Sequence, residues 1–310
     1  MLRCFLLPLM ALLASGPALT AADEAPPAPT LEAAYPGLSS GPLRQARLLA
    51  LPEGVLARAA GMVVKEAEVA ARIAEAGDDA PLRRLLEKNA PYLVEKLVTD
   101  TLLAEEARAW ALAQGKPTQE ESPGSLVETY LHSLAAQAQV TPEEAKAFFA
   151  ANQEMFGGAT YDQVEGDLRT YLLTEKQDAL VDAHVNSLSA RTPVELNAAW
   201  FQAHAAAALD NPVDQARRSG KPALVDFGAG GCLACDRMTP LLEELGRDYG
   251  ERAKVLFASV RDDPLLGARY NVRVIPLQVV FDAQGQEVFR HLGFWPREAM
   301  VAKLAELGVK

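Results

Sequence analysis

DFGAGGCLACDRMTP, residues 226–240, is the stretch on which the fold of this chain turns. Cys232 and Cys235 stand three apart, between a glycine-rich turn and a helix-forming run. A C-x-x-C in that setting is open to three readings: a redox centre, half of a metal site, or two buried thiols that happen to lie close. Its flanks and its compartment separate them.

Before the cysteines, PALVDFG (222–228) is a short apolar run of the kind that forms a buried strand. Further upstream, NPVDQARRSGKP opens a short helix, with Asn211 as N-cap and Pro212 at its first position. After the cysteines, a helix presents Leu241, Leu242 and Leu245 to a core, and KVLFASV (254–260) follows as a second strand. VIPLQVVFDAQGQEVFRHLG reads as two strands joined by a turn at Asp282-Ala283-Gln284-Gly285. A last helix carries Met300, Val301, Leu304 and Leu307 on one face. Strand, helix, strand, hairpin and helix predict an α/β layer built on a mixed sheet over residues 194–310.

The rest of the chain has a different texture. Residues 46–193 are helix-patterned, and we expect this half to be all-α. In PYLVEKLVTDTLLAEEARAWALAQG, Pro91 suits a first turn, Gly115 a stop, and Leu93, Leu97, Leu102 and Ala109 lie near one face. A second helix is expected over 126–138, through Leu126, Tyr130, Leu131 and Leu134. Thr141, Pro142 and Glu144 form a capping box, and a long helix is expected from Tyr161 to Ser189. Residues 23–45, rich in Pro, Ala, Ser and Gly, read as a flexible leader.

Residues 1–22 have the three parts of an export signal: Arg3, the apolar run Phe5–Ala14, and small residues around Thr20, Ala21 and Ala22. The apolar run falls short of the roughly 20 residues a spanning helix needs, and Pro8 interrupts it. Cys4 lies at its start, not at its end where a lipid anchor needs a cysteine. The expected location is the periplasm or another exported compartment. Cleavage removes Cys4 and leaves Cys232 and Cys235 as the only thiols, in a compartment where disulfides persist. So short a loop restrains the unfolded chain little, which points away from stapling and toward exchange chemistry.

The whole chain has 310 residues, 49% of them hydrophobic and 23% charged, a globular composition with room for two domains. A net charge of -11, with no clustered Lys/Arg, excludes nucleic acid as a partner. A zinc site needs more ligands than two thiols, and His132, His184, His204 and His291 are scattered, so no metal is expected. No phosphate loop or serine elbow is present, and no cofactor is expected.

Cys232 falls at a helix N-terminus, where free N–H groups and the helix dipole favour a thiolate. Cys235, nearly one turn on, can attack a mixed disulfide and release the partner. Asp226 sits in an otherwise apolar strand; burial there raises a carboxyl pKa and lets it exchange a proton with Cys235. The alternative for Asp226 is a strand-end residue capping a turn. Ile275-Pro276 opens an apolar run, where proline marks a special backbone geometry such as a cis bond.

These residues together resemble the thioredoxin superfamily: KPALVDF leading to C-x-x-C, Pro240 five residues after Cys235, VIP before two strands, and GFWPREAMVAKL at the end. The resemblance implies a three-layer α/β/α domain and an exposed nucleophile at Cys232. It also implies a resolving thiol at Cys235 and a buried proton carrier at Asp226. Pro276 would be a cis-proline facing the disulfide, and the backbone of Ile275 would pair with an extended substrate segment. Gly231 departs from the pattern, because many members carry Trp directly before the first cysteine. The Leu233-Ala234 insert looks most like exported reductant domains such as the C-terminal domain of DsbD, which favours reductase or isomerase over oxidase.

The segment from about 60 to 193 resembles the N-terminal helical domain of SurA-type periplasmic chaperones and their parvulin relatives. The residues that carry this are VVKEAEVAARI, LVEKLVTDTLLAEEARAWALAQG, VTPEEAKAFFAANQEMF and YDQVEGDLRTYLLTEKQDALVDAHVNSL. It implies exported, unfolded or partly folded clients as partners, alongside a membrane or periplasmic electron donor. The expected protein is therefore an exported thiol–disulfide oxidoreductase with a client-binding helical domain. The competing class is a chaperone or scaffold with an idle or zinc-binding C-x-x-C.

Overall fold

The computed structural model describes residues 27–115 and 122–310; the export signal expected at residues 1–22 lies outside them. In chain order the elements begin with α1 (Leu31–Ala34), β1 (Arg47–Leu49), β2 (Val55–Ala59), β3 (Met62–Lys65), α2 (Glu66–Ala74) and α3 (Ala80–Lys88). Then come α4 (Ala90–Ala113), α5 (Pro123–Ala135), α6 (Pro142–Ala151), α7 (Tyr161–Asn186), α8 (Leu188–Arg191), β4 (Val194–Asn197) and α9 (Ala198–Ala208). The chain ends with α10 (Pro212–Arg217), β5 (Ala223–Gly228), α11 (Leu233–Tyr249), β6 (Lys254–Ser259), α12 (Pro264–Arg269), β7 (Leu277–Phe281), β8 (Glu287–Leu292) and α13 (Arg297–Glu306).

The first half is not all-α. It contains a four-stranded sheet of order β1-β4-β2-β3. Residues 55–65 form a hairpin because Ala60 and Gly61 both hold positive φ (38° and 85°), the pair a tight two-residue turn requires. The strand β3 alternates buried Met62 and Val64 with exposed Val63 and Lys65, a period of two that precedes the helical period of α2.

The expected leader is also structured over residues 27–45. Leu31, Leu38 and Leu43 are buried in the first core, and the Leu31 amide donates to the Ala46 carbonyl at 2.8 Å. Three leucines in an otherwise small-residue stretch supply enough apolar surface to dock it.

The boundary expected at 193/194 falls later. β4 lies between β1 and β2, and Val194, Leu196, Phe201, Ala205, Ala208 and Leu209 all join the first core. The second core starts at Val213. α4 spans the first half: Val94, Val98 and Leu102 pack into that core, while Ala107 and Ala111 join Leu126 and Tyr130 of α5 in a smaller cluster. Among the described residues no helix is long and apolar enough to cross a membrane.

The second half is the three-layer α/β/α arrangement. Its sheet has the order β6-β5-β7-β8, with β5 and β6 parallel and the other pairs antiparallel. β5 and β7, buried at every position, occupy the centre. Val225, Phe227, Val279 and Phe281 face a core shared with α10 and α12. Leu224 and Val280 face the opposite core, where Met238, Leu242, Leu245, Met300 and Leu304 of α11 and α13 cover them. The Asp282–Gly285 turn closes through the Gly285 amide on the Asp282 carbonyl at 3.0 Å.

A buried polar cluster fastens the two halves. Arg269 and Asp214 pair at 3.0 Å with side chains 1% exposed. Arg269 also donates to the carbonyls of Ala208 (3.1 Å) and Gly37 (2.6 Å), both from the first half. Asn211 and the Tyr270 hydroxyl donate to the two oxygens of Asp214 at 2.6 and 2.7 Å.

Candidate active site

β5 ends at Gly228, and the turn Ala229–Gly231 carries the chain into α11, whose N-cap is Cys232. The Sγ of Cys232 accepts from the Cys235 amide at 3.3 Å, so the sulfur takes the place of an oxygen cap at the positive end of the helix. Cys232 and Cys235 are joined as a disulfide with Cα atoms 5.2 Å apart. Cys232 is half-buried, whereas Cys235 is 1% exposed. Leu233, the first residue of α11, is 80% exposed beside them.

Gly231 has φ 81°, a left-handed conformation that costs any residue with a Cβ. A tryptophan held in this same conformation would be strained.

Asp226 is fully buried on β5, on the same face as Gly228 and Leu224. A Cβ placed on Gly228 would lie 3.2 Å from Cβ and 3.3 Å from Sγ of Cys235, so Cys235 rests directly on that face of the strand. Burial pushes the Asp226 carboxyl up to about 6, opposed by a hydrogen bond from Gln278 Nε2 to Oδ1 at 2.6 Å. Its other oxygen, Oδ2, and Gln278 Oε1 have no hydrogen-bond partner among the described residues. A carboxyl in this state is suited to holding and releasing a proton near neutral pH.

The Ile275–Pro276 peptide bond is cis. Leu277 pairs with Phe227, and continuing that register sets Pro276 beside Gly228, at the end of the sheet where the cysteine turn emerges. The Pro276 carbonyl accepts from the Gly293 amide at 2.8 Å. The fold therefore gathers Cys232, Cys235, Asp226, Ile275 and Pro276 at one end of the central strands.

Two residues of this site escaped the reading of the sequence. Gln278, a lone polar residue in the apolar run LQVVF, was the available signal for a partner of Asp226. Gly228 carried no signal, because its importance lies in the close approach of α11.

Comparison with known proteins bears on the second half. A thioredoxin-like domain model matches residues 209–308. Thioredoxins of Staphylococcus aureus strains Mu50 and N315 are each 41% identical over 81 residues, covering 26% of this chain and 77% of the relative. Among solved structures, an exposed lipoprotein thioredoxin of Streptococcus pneumoniae strain TIGR4 is 24% identical, covering 29% of this chain and 87% of its own, with a TM-score of 0.27. A chloroplastic thioredoxin z is 22% identical, covering 31% and 86%, with a TM-score of 0.28.

Proposed function

The chain belongs to the thioredoxin family through its C-terminal domain, and from that premise we propose that it is an exported thiol–disulfide oxidoreductase acting on protein disulfides. The observation that carries the proposal is the unequal placement of two bonded sulfurs: Cys232 accessible at a helix N-cap, Cys235 sealed one turn inward against the strand of Asp226.

In the reduced protein, the Cys232 thiolate attacks a sulfur of the client disulfide and forms a mixed disulfide, releasing one client thiolate. Asp226 accepts the proton of Cys235, whose thiolate then attacks Cys232 Sγ. The second client thiolate leaves, the client has gained two electrons, and the Cys232–Cys235 disulfide remains. An electron donor in the membrane or periplasm then restores the dithiol. The uncharged Leu233-Ala234 insert adds nothing that would stabilise the thiolate strongly, as a powerful oxidant needs, so reduction or isomerisation is the favoured direction.

Export rests on the pattern of Arg3, Phe5–Ala14 and Thr20–Ala22. The helical half, on its resemblance to SurA-type domains, presents exported clients to Cys232.

The test is Cys235→Ala, in which the mixed disulfide has no internal resolver. Covalent adducts with exported proteins, seen on non-reducing gels and absent from Cys232→Ala, are the expected result. A Cys235→Ala protein with no adducts, together with wild-type insulin reduction no faster than that of Cys232→Ala, would refute the assignment.

A further inference from the structure

Helix α7 of the first half lies against the loop that ends in Ile275 and Pro276, and is tied to it. Arg273 reaches Asp178 Oδ1 at 2.7 Å and Asp182 Oδ1 at 2.5 Å. The other oxygen of Asp182 accepts from Asn271 Nδ2 at 2.5 Å, and Arg273 Nε donates to Asn271 Oδ1 at 3.2 Å. Asn271 holds φ 52°, so the clamp engages the loop at a left-handed bend. The loop carrying Ile275 is thus fixed to a helix outside the thioredoxin-like domain.

Between helix and loop runs a cleft of about 260 Å³. Ala179, Val274, Leu277 and Leu292 give it apolar surface, and Glu175, Asp178 and Asp182 give it carboxylates. The two arginines that also line it are engaged: Arg273 with the aspartates, and Arg290 with Glu287 at 2.8 and 3.0 Å. Glu175 is exposed and makes no hydrogen bond or ion pair among the described residues. Three carboxylates on α7 face one arginine from the loop, which leaves the helix side of the cleft negative. Partial desolvation and the nearby Asp178 raise the Glu175 carboxyl above its ordinary range, opposed by Arg273, a condition that a further cation entering the cleft relieves.

We infer that the cleft between α7 and the loop before Ile275 is a subsite for a lysine or arginine side chain on the substrate polypeptide, close in sequence to its disulfide. Such a side chain lays its aliphatic stem along Val274, Leu277 and Leu292 and sets its charged head at Glu175 and Asp178. Val274, which lines the cleft, directly precedes Ile275, where the proposed function has an extended substrate segment pair. Side chains on one face of such a segment recur every second residue, about 6.6–6.8 Å apart, so the subsite reads a position near the one opposite Ile275. This inference rests on the thiol–disulfide reading above.

The experiment uses the full chain reduced with dithiothreitol and freed of it, and synthetic disulfide-linked peptides carrying Lys, Ala or Glu two residues from the cysteine. The rate of peptide thiol release is expected to be about tenfold higher for the Lys peptide than for the Glu peptide. Glu175→Lys is expected to erase or invert that ratio. Glu298→Lys, the same charge change at an exposed site on α13, should preserve it. Equal rates for the three peptides, or a ratio that Glu175→Lys leaves unchanged, would overturn the subsite while leaving the oxidoreductase intact. Failure to reduce any peptide or a small aromatic disulfide faster than Cys232→Ala would instead overturn the oxidoreductase reading and the subsite with it.

Discussion

Gln278 holds Asp226 from the neighbouring strand: its Nε2 donates to Oδ1 at 2.6 Å, and both side chains are fully buried. One hydrogen bond to a carboxylate does not offset its desolvation, so the carboxyl titrates at about 6 instead of 3.8. A raised acid pKa in the folded state means that the native protein binds the proton more tightly than the unfolded chain. Stability therefore falls as pH rises from about 3.8 to about 6, and the penalty is complete above that range.

Replacing Asp226 with Asn removes the charge and keeps an oxygen for Gln278. The variant should be more stable than wild type at pH 7 by about 3 kcal/mol, the equivalent of roughly two pKa units. The gain should shrink as pH drops from about 6 to about 4. Urea unfolding across a pH series measures both; a difference that does not change with pH would place the ionisation elsewhere. The same variant should slow the release of trapped clients, since Cys235 loses its proton acceptor.

Gly228 is where α11 meets β5. An added Cβ would lie 2.6 Å from a Phe257 ring carbon and 3.2 Å from Cβ of Cys235. Phe257, 42% exposed, has room to swing outward, but Cys235 is held by its helix. Gly228→Ala should therefore cost about 1–3 kcal/mol through overpacking and displace the resolving sulfur. We expect a lower urea midpoint and a longer-lived mixed disulfide in stopped-flow exchange. An unchanged lifetime would mean that the helix start shifts as a unit.

Arg269 is the centre of the junction between the halves. Truncating it leaves Asp214 as an uncompensated buried charge and frees the carbonyls of Gly37 and Ala208. Arg269→Met should cost about 3–5 kcal/mol, whereas Asp214→Asn combined with Arg269→Met should cost clearly less, because no lone charge is then buried. Chemical denaturation of the three proteins makes the comparison. Equal losses in the single and double variants would show that packing, not charge, dominates.

Features set by a few neighbouring residues could be read directly from the chain. Asn211 caps α10 through the Asp214 amide at 3.0 Å, Thr141 and Glu144 form their box, and Asp282–Gly285 turns the hairpin. The same holds for Cys232 at the start of α11. Each depends on backbone and side-chain groups within one helical turn, so composition and spacing are enough. The boundaries were less secure: α5 ends at Ala135 and α7 at Asn186, each short of the expected stop.

The hairpin at 55–65 and the docked segment at 27–45 were missed because their stability comes from elsewhere. β2 is held by β4, and Leu31 and Leu43 by a core that includes α4 and α9. Alternation over four or five residues is weak beside the strong helical period that follows it.

Sequence by itself thus determined that a pair of cysteines starts a helix behind a buried apolar strand carrying one carboxyl, since capping, burial and hydrophobic period are short-range. Tertiary structure alone decided which partners meet: Gln278 with Asp226, Asp182 with Arg273, Arg269 with Gly37. The reason is that such pairings are selected by the packing of whole elements. A residue's type states what it can bond, and only the fold states what stands within 3 Å of it.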